Sequence, residues 1–176
     1  ASGHAGSDPS GRGRFVIRNS KVRGFPIEGV ASIDMGDGRV RSINMDLSIA
    51  GNTIAADGIL GTASDTMQWR IDAQHLGRLG LGIEGALQAA GVAQGELASI
   101  ESTFTGKGGA LVLPGGVRIE SVSTEGRWSP SASDIRVSAH ALSFGEEYIE
   151  SADLTALGTL DNHSLRLSAS GPRMKF

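Results

Sequence analysis

The sequence predicts an all-β, predominantly antiparallel fold, and three observations carry that reading. Glycine fills 26 of 176 positions, roughly twice its usual share of about 7%, and each glycine inside a helix costs about 1 kcal/mol relative to alanine. Apolar and polar residues alternate with period two in one short segment after another, which gives a strand one apolar and one polar face. Gly, Asn, Asp, Ser and Pro punctuate the chain about every 8–15 residues, the rhythm of strands joined by short turns.

Taken in order, residues 1–14 open with ASGHAGSDPSGRG, small and polar without period. They read as a flexible leader to a single segment, residues 15–176. The clearest strand is Arg41–Ile49, with Ile43, Met45, Leu47 and Ile49 on one face and Ser42, Asn44, Asp46 and Ser48 on the other. Gly51-Asn52 is a turn dipeptide suited to positive φ, and Thr53–Leu60 completes a hairpin. Met67, Trp69, Ile71 and Ala73 alternate with Gln68, Arg70 and Asp72 in the next strand. Between His75 and Ala90 a helix competes, with Leu76, Leu79 and Ile83 at helical spacing. Gly77, Gly80, Gly82 and Gly85 oppose it, so one helical turn near Leu76–Leu81 followed by a strand is expected. Leu111 and Leu113, Val117 and Ile119, Ile135 to Ala141, and Leu165 to Ala169 continue the alternation.

Composition narrows the function classes. Formal charge is −3, too mild to argue for a nucleic-acid partner. Ile, Leu, Val and Phe fill 42 of 176 positions, enough apolar surface for an ordered protein. The chain has no cysteine, which excludes a disulfide framework, a thiolate metal site and a cysteine nucleophile. No apolar run approaches the roughly 18 residues of a membrane-spanning helix.

Motifs for chemistry are weak. Gly80, Gly82 and Gly85 match G-x-G-x-x-G, but the βαβ context that gives that pattern meaning is missing. His4, His75, His140 and His163 lack metal-ligand spacing; His163 falls in a turn and His140 on the polar side of its strand. Glu146, Glu147 and Glu150 read as a solvated loop after Gly145. Arg12, Arg14, Arg18, Lys21 and Arg23 form a basic edge without the aromatic partners that nucleic-acid stacking uses; it discourages sheet-to-sheet aggregation. Neither a cofactor nor an enzymatic activity is expected.

The stretch from Gln68 to Gly171 resembles the carboxy-terminal region of the TamB family, the inner-membrane subunit of the translocation and assembly module, and more broadly AsmA-like proteins. The resemblance rests on Ile71-Asp72-Ala73 with Leu76 and Leu79, on the glycine-punctuated Gly85-Ala86-Leu87, Gly91 and Gly95-Glu96-Leu97, and on Gly158 to Leu167, closing at Gly171. It implies a periplasmic, curled, elongated sheet forming an open apolar trough in a longer, inner-membrane-anchored protein. The implied work is moving phospholipid towards the outer membrane and assembling outer-membrane proteins with a TamA-like barrel partner. The family pattern implies no catalytic residue.

A trough would be lined by Ile43, Met45, Leu47, Ile49, Met67, Trp69, Ile71, Leu111, Leu113, Val117, Ile119, Ile135, Val137, Leu165 and Leu167, and phospholipid acyl chains would be its cargo. Three functions stay open: a lipid-conducting trough, an adaptor whose strand edges pair with a barrel or client protein, and a plain β-sandwich. The Leu165–Ala169 strand is expected to be an unpaired edge that invites self-association.

Overall fold

A computed structural model describes residues 2–4, 10–22, 24–37, 39–96, 98–159 and 161–171. Residues 1 and 5–9 of the expected leader, Arg23 of the basic edge, Leu97 of the family cadence, and residues 38, 160 and 172–176 lie outside them. Twelve strands follow one another: β1 (Ser2–His4), β2 (Ser10–Val22), β3 (Phe25–Gly36), β4 (Arg39–Ile49), β5 (Asn52–Leu60), β6 (Thr66–Ala73), β7 (Glu84–Gln94), β8 (Glu101–Val112), β9 (Arg118–Trp128), β10 (Ser133–Phe144), β11 (Glu147–Gly158) and β12 (His163–Ser170). They form one open, curled sheet in strict sequence order, every neighbouring pair antiparallel. The chain is therefore an all-β meander of hairpins. The competing helix is reduced to a 3₁₀ turn, Leu76–Leu79, ended by Gly80 at φ 65°.

Four details correct the sequence reading. Strand β2 begins at Ser10, so the expected leader between Ser10 and Arg14 is paired strand, with Arg12 opposite Asp34. The β4–β5 turn is Ala50-Gly51, not Gly51-Asn52. Both turn residues take positive φ, 52° and 83°, the twist a two-residue hairpin needs, and Asn52 pairs with Ile49. Leu113 and Val117 stand outside the strands, because Pro114-Gly115-Gly116 turns the chain there and Leu113 N–H donates to Val117 O at 2.8 Å. His163 opens β12 opposite Gly158; it does not lie in the turn.

Alternation puts one set of side chains on each face, and pairing carries the sets from strand to strand. Where a strand changes parity, the backbone shows why. In β8 the inward residues run Ser102, Phe104, Gly106 and Gly108, then Ala110 takes φ 50° and Leu111 returns inward. Leu111 is 8% exposed. A Cβ on Gly108 would stand 2.9 Å from Val122 Cγ1 and 3.3 Å from Leu111 Cδ1, so both side chains cover one face. Ala141 in β10 takes φ 52° at the matching place, and the pairs Leu111–Ile119 and Ile119–Leu142 carry the switch across three strands.

Packing is concentrated at one end of the sheet. Val40, Leu60 and Ala93 are buried there, with Ile33, Met35, Ile43, Met67, Trp69 and Ile100 against them. Short β6 lets the chain beyond β5 reach the end of β7, and Gly61 N–H donates to Gly95 O at 3.0 Å. Elsewhere the sheet has no second layer among the described residues. The accessible surface is 11671 Å² for 18.1 kDa, against about 8,100 Å² for a compact monomer of that mass.

Candidate functional site

The candidate site is the apolar face. Its centre is a chain of directly paired residues crossing eleven strands: Ile17, Gly29, Leu47, Ile54, Ile71, Ala89, Gly106, Thr124, Val137, Leu154 and Leu167. Strands about 4.8 Å apart give that row a length of about 48 Å. Beside it runs a second row: Phe15, Ala31, Met45, Ala56, Trp69, Gly91, Phe104, Gly126, Ile135, Ala156 and Leu165. In this second row a large residue from every even-numbered strand alternates with Ala or Gly from every odd-numbered one.

Of the fifteen residues expected to line a trough, thirteen lie on this face. Ile43, Met45, Leu47 and Ile49 come from β4; Met67, Trp69 and Ile71 from β6; Ile135 and Val137 from β10; Leu165 and Leu167 from β12. Leu111 and Ile119 join them through the switch at Ala110. Leu113 and Val117, both half-buried, lie just beyond the strand ends in the β8–β9 turn. Ile43, Leu47, Ile71, Ile119 and Val137 are half-buried, while Leu165 and Leu167 are 62% and 71% exposed. These side chains shelter one another; no sheet covers them among the described residues.

The sequence reading missed Phe15, Ile17, Ile54, Phe104 and Leu154, which share the face. The signal was present for Leu154, since Ala152, Leu154 and Ala156 alternate with Asp153 and Thr155. For Phe104 it was hidden, because its inward neighbours are Ser102 and Gly106.

The opposite face is polar and knitted by side chains on neighbouring residues, within and across strands. Asn44 Nδ2 donates to Asp57 at 3.0 Å, Ser138 Oγ donates to Asp153 at 2.6 Å, and Arg127 pairs with Glu101. Arg136 lies 3.6 Å from Glu125 and 3.1 Å from Asp134. Such exposed pairs contribute about 0–1 kcal/mol each; they mark which face meets water. At the β3–β4 corner a hydrogen bond from Arg41 to Asp37, and then the charges of Asp37 and Asp34, raise the Arg41 pKa. A twisted sheet is saddle-shaped, so each face is concave in one direction. Open depressions of about 750 and 610 Å³ lie on the polar face around Arg70. A cleft of about 250 Å³ lies on the apolar face between Trp128, Ile135, Ala156 and Leu165.

No cluster of three or more His, Asp or Glu side chains able to hold a metal occurs among the described residues, and no helix there is long and apolar enough to cross a membrane.

These features define a class: an extended single-sheet β-protein with one aliphatic and one polar face. The family model "TamB, N-terminal domain" matches residues 19–176. The chain belongs to the TamB family, whose members are membrane-associated assembly-module proteins. The match is to the amino-terminal domain and corrects the expected carboxy-terminal placement. A cadence of alternating strands and glycines recurs along the whole sheet, so it marks the architecture and not a position within it. Comparisons with curated proteins and with solved structures find no match.

Proposed function

We propose that the apolar face is the wall of a conduit for phospholipid acyl chains, in a periplasmic segment of a TamB-family protein that serves outer-membrane biogenesis. The row from Ile17 to Leu167 supports this reading above all: it crosses eleven strands with one hydroxyl, that of Thr124, and no charge. Each buried methylene is worth about 0.8 kcal/mol, so an aliphatic floor holds a chain by area, without hydrogen bonds that would select one lipid. Headgroups stay in water at the open rim. The protein performs no chemistry on its cargo in this reading.

The test is a photo-reactive residue at Val137, with Ser138 on the polar face as control. The expected outcome is lipid adducts from position 137, in vesicles of phosphatidylethanolamine and phosphatidylglycerol, and few from 138. Equal labelling from both faces, or none, would overturn the proposal.

A second reading rests on β12. It pairs with β11 alone among the described residues, and all its residues are exposed. Such an edge suits strand addition by a TamA-like barrel or a client protein. Protein adducts from position 167 together with no lipid adducts from 137 would favour this adaptor role.

A further inference from the structure

Trp69 does not stand off the sheet as an inward aromatic ordinarily would. A Cβ on Gly91, its paired neighbour on β7, would lie 2.7 Å from both Cε2 and Cζ2 of the indole. The ring therefore reclines on the Gly91 backbone. Its Nε1–H donates to Ser102 Oγ at 3.1 Å, on β8, two strands from its own. Phe104, next in the same row, repeats the posture: a Cβ on Gly126 would lie 3.1 Å from Phe104 Cζ. The two ring centroids are 6.4 Å apart with planes tilted by 41°.

The posture levels the floor where the bulkiest lining side chains stand. Side chains standing off a sheet form a layer about 5 Å deep, half the distance between packed sheets. An upright indole would fill that depth, and a free N–H would add a polar group to an apolar path. A buried tryptophan N–H needs a partner, and Ser102, on the same face of β8, supplies one.

We infer that Trp69, held flat across Gly91 by Ser102, is the residue that sets the clearance of the trough for an acyl chain. The inference rests on the conduit reading and adds a positioning residue, Ser102, and a permissive one, Gly91.

The chain contains two tryptophans, so Trp128→Phe leaves Trp69 as the only indole reporter. The probe is 9,10-dibromostearate, whose bromines quench indole on contact. The reference protein should show saturable quenching. Ser102→Ala should weaken the probe's apparent affinity about five-fold, the worth of one hydrogen bond. It should also raise quenching by aqueous bromide, as the ring lifts from the floor. Ser102→Thr, which keeps the hydroxyl, should restore both values at unchanged melting temperature. The Ser102 pair decides, because an alanine methyl at Gly91 would meet the Thr103 carbonyl oxygen as well as the ring. Quenching of the reference with the same affinity in folded Ser102→Ala overturns the clearance role and leaves the conduit standing. No saturable quenching of the reference overturns both.

Discussion

Asn52 ties one rim of the sheet together. It is 5% exposed, and its Nδ2 donates to Ile49 O and to His75 O, both at 3.1 Å, while Oδ1 accepts from His75 N–H at 2.9 Å. One side chain thus satisfies the β4–β5 turn and the segment entering the 3₁₀ turn. Leaving such groups without partners costs about 1–3 kcal/mol. Asn52→Ala should lower the unfolding free energy by that amount, seen as a lower urea midpoint with the slope unchanged, and His75 should lose amide protection. A change below about 0.5 kcal/mol, the size of an ordinary surface substitution, would contradict the account. The turn-forming character of Asn52 is visible in its sequence neighbourhood. Its bonds to His75 are not, because they join positions 23 residues apart and depend on where the β6–β7 connection folds back.

Ala110 shows what alternation alone leaves unread. Leu111 and Leu113 look like two beats of one strand, with Val117 and Ile119 two beats of the next. The structure ends β8 at Val112 and turns Leu111 inward against parity, through an alanine at φ 50°. Alanine gives no signal of positive φ, which L-residues adopt at a cost of about 1–2 kcal/mol. By contrast the strands holding Ile43–Ile49 and Met67–Ile71 were legible within two residues at either end, because nothing interrupts their period. Ala110 is exposed and its strain is local. Ala110→Gly should therefore stabilise the protein by about 0.5–1 kcal/mol in thermal or urea unfolding, while β-branched Ala110→Val should destabilise it. If both variants destabilise equally, the inward return of Leu111 has another cause.

Across the whole molecule, one layer means that substitutions on the apolar face are graded by shelter and not by hydrophobicity. Leu167 and Val137 occupy the same row, yet Leu167 is 71% exposed and Val137 is half-buried. Leu167→Asp should cost under about 0.5 kcal/mol, as surface changes do. Val137→Asp should cost about 1–3 kcal/mol, the measured range for a polar group without compensation, and still leave a folded chain whose wall can hydrate the carboxylate. Global unfolding of Leu167→Asp would show a sealed core where the structure has an open face.

Among the described residues β12 is the last strand of the sheet, and an exposed edge is a template for another strand. Its eight residues pair with β11 on one side, while the other side carries no strand among the described residues. Leu165 and Leu167 lie 62% and 71% exposed on the apolar face, with Ser164, Arg166 and Ser168 on the other. Arg166 is the strand's one permanent cation, weak protection against edge-to-edge pairing. Two copies joining through β12 would continue both faces, apolar to apolar and polar to polar, and would bury the leucines without any rearrangement of the meander. Sedimentation velocity should therefore show concentration-dependent association, and the double change Leu165→Lys and Leu167→Lys should shift the protein to monomer without lowering its melting temperature by more than a few degrees. Monomeric behaviour up to the solubility limit, or association that survives the double change, would show that this edge is protected in solution.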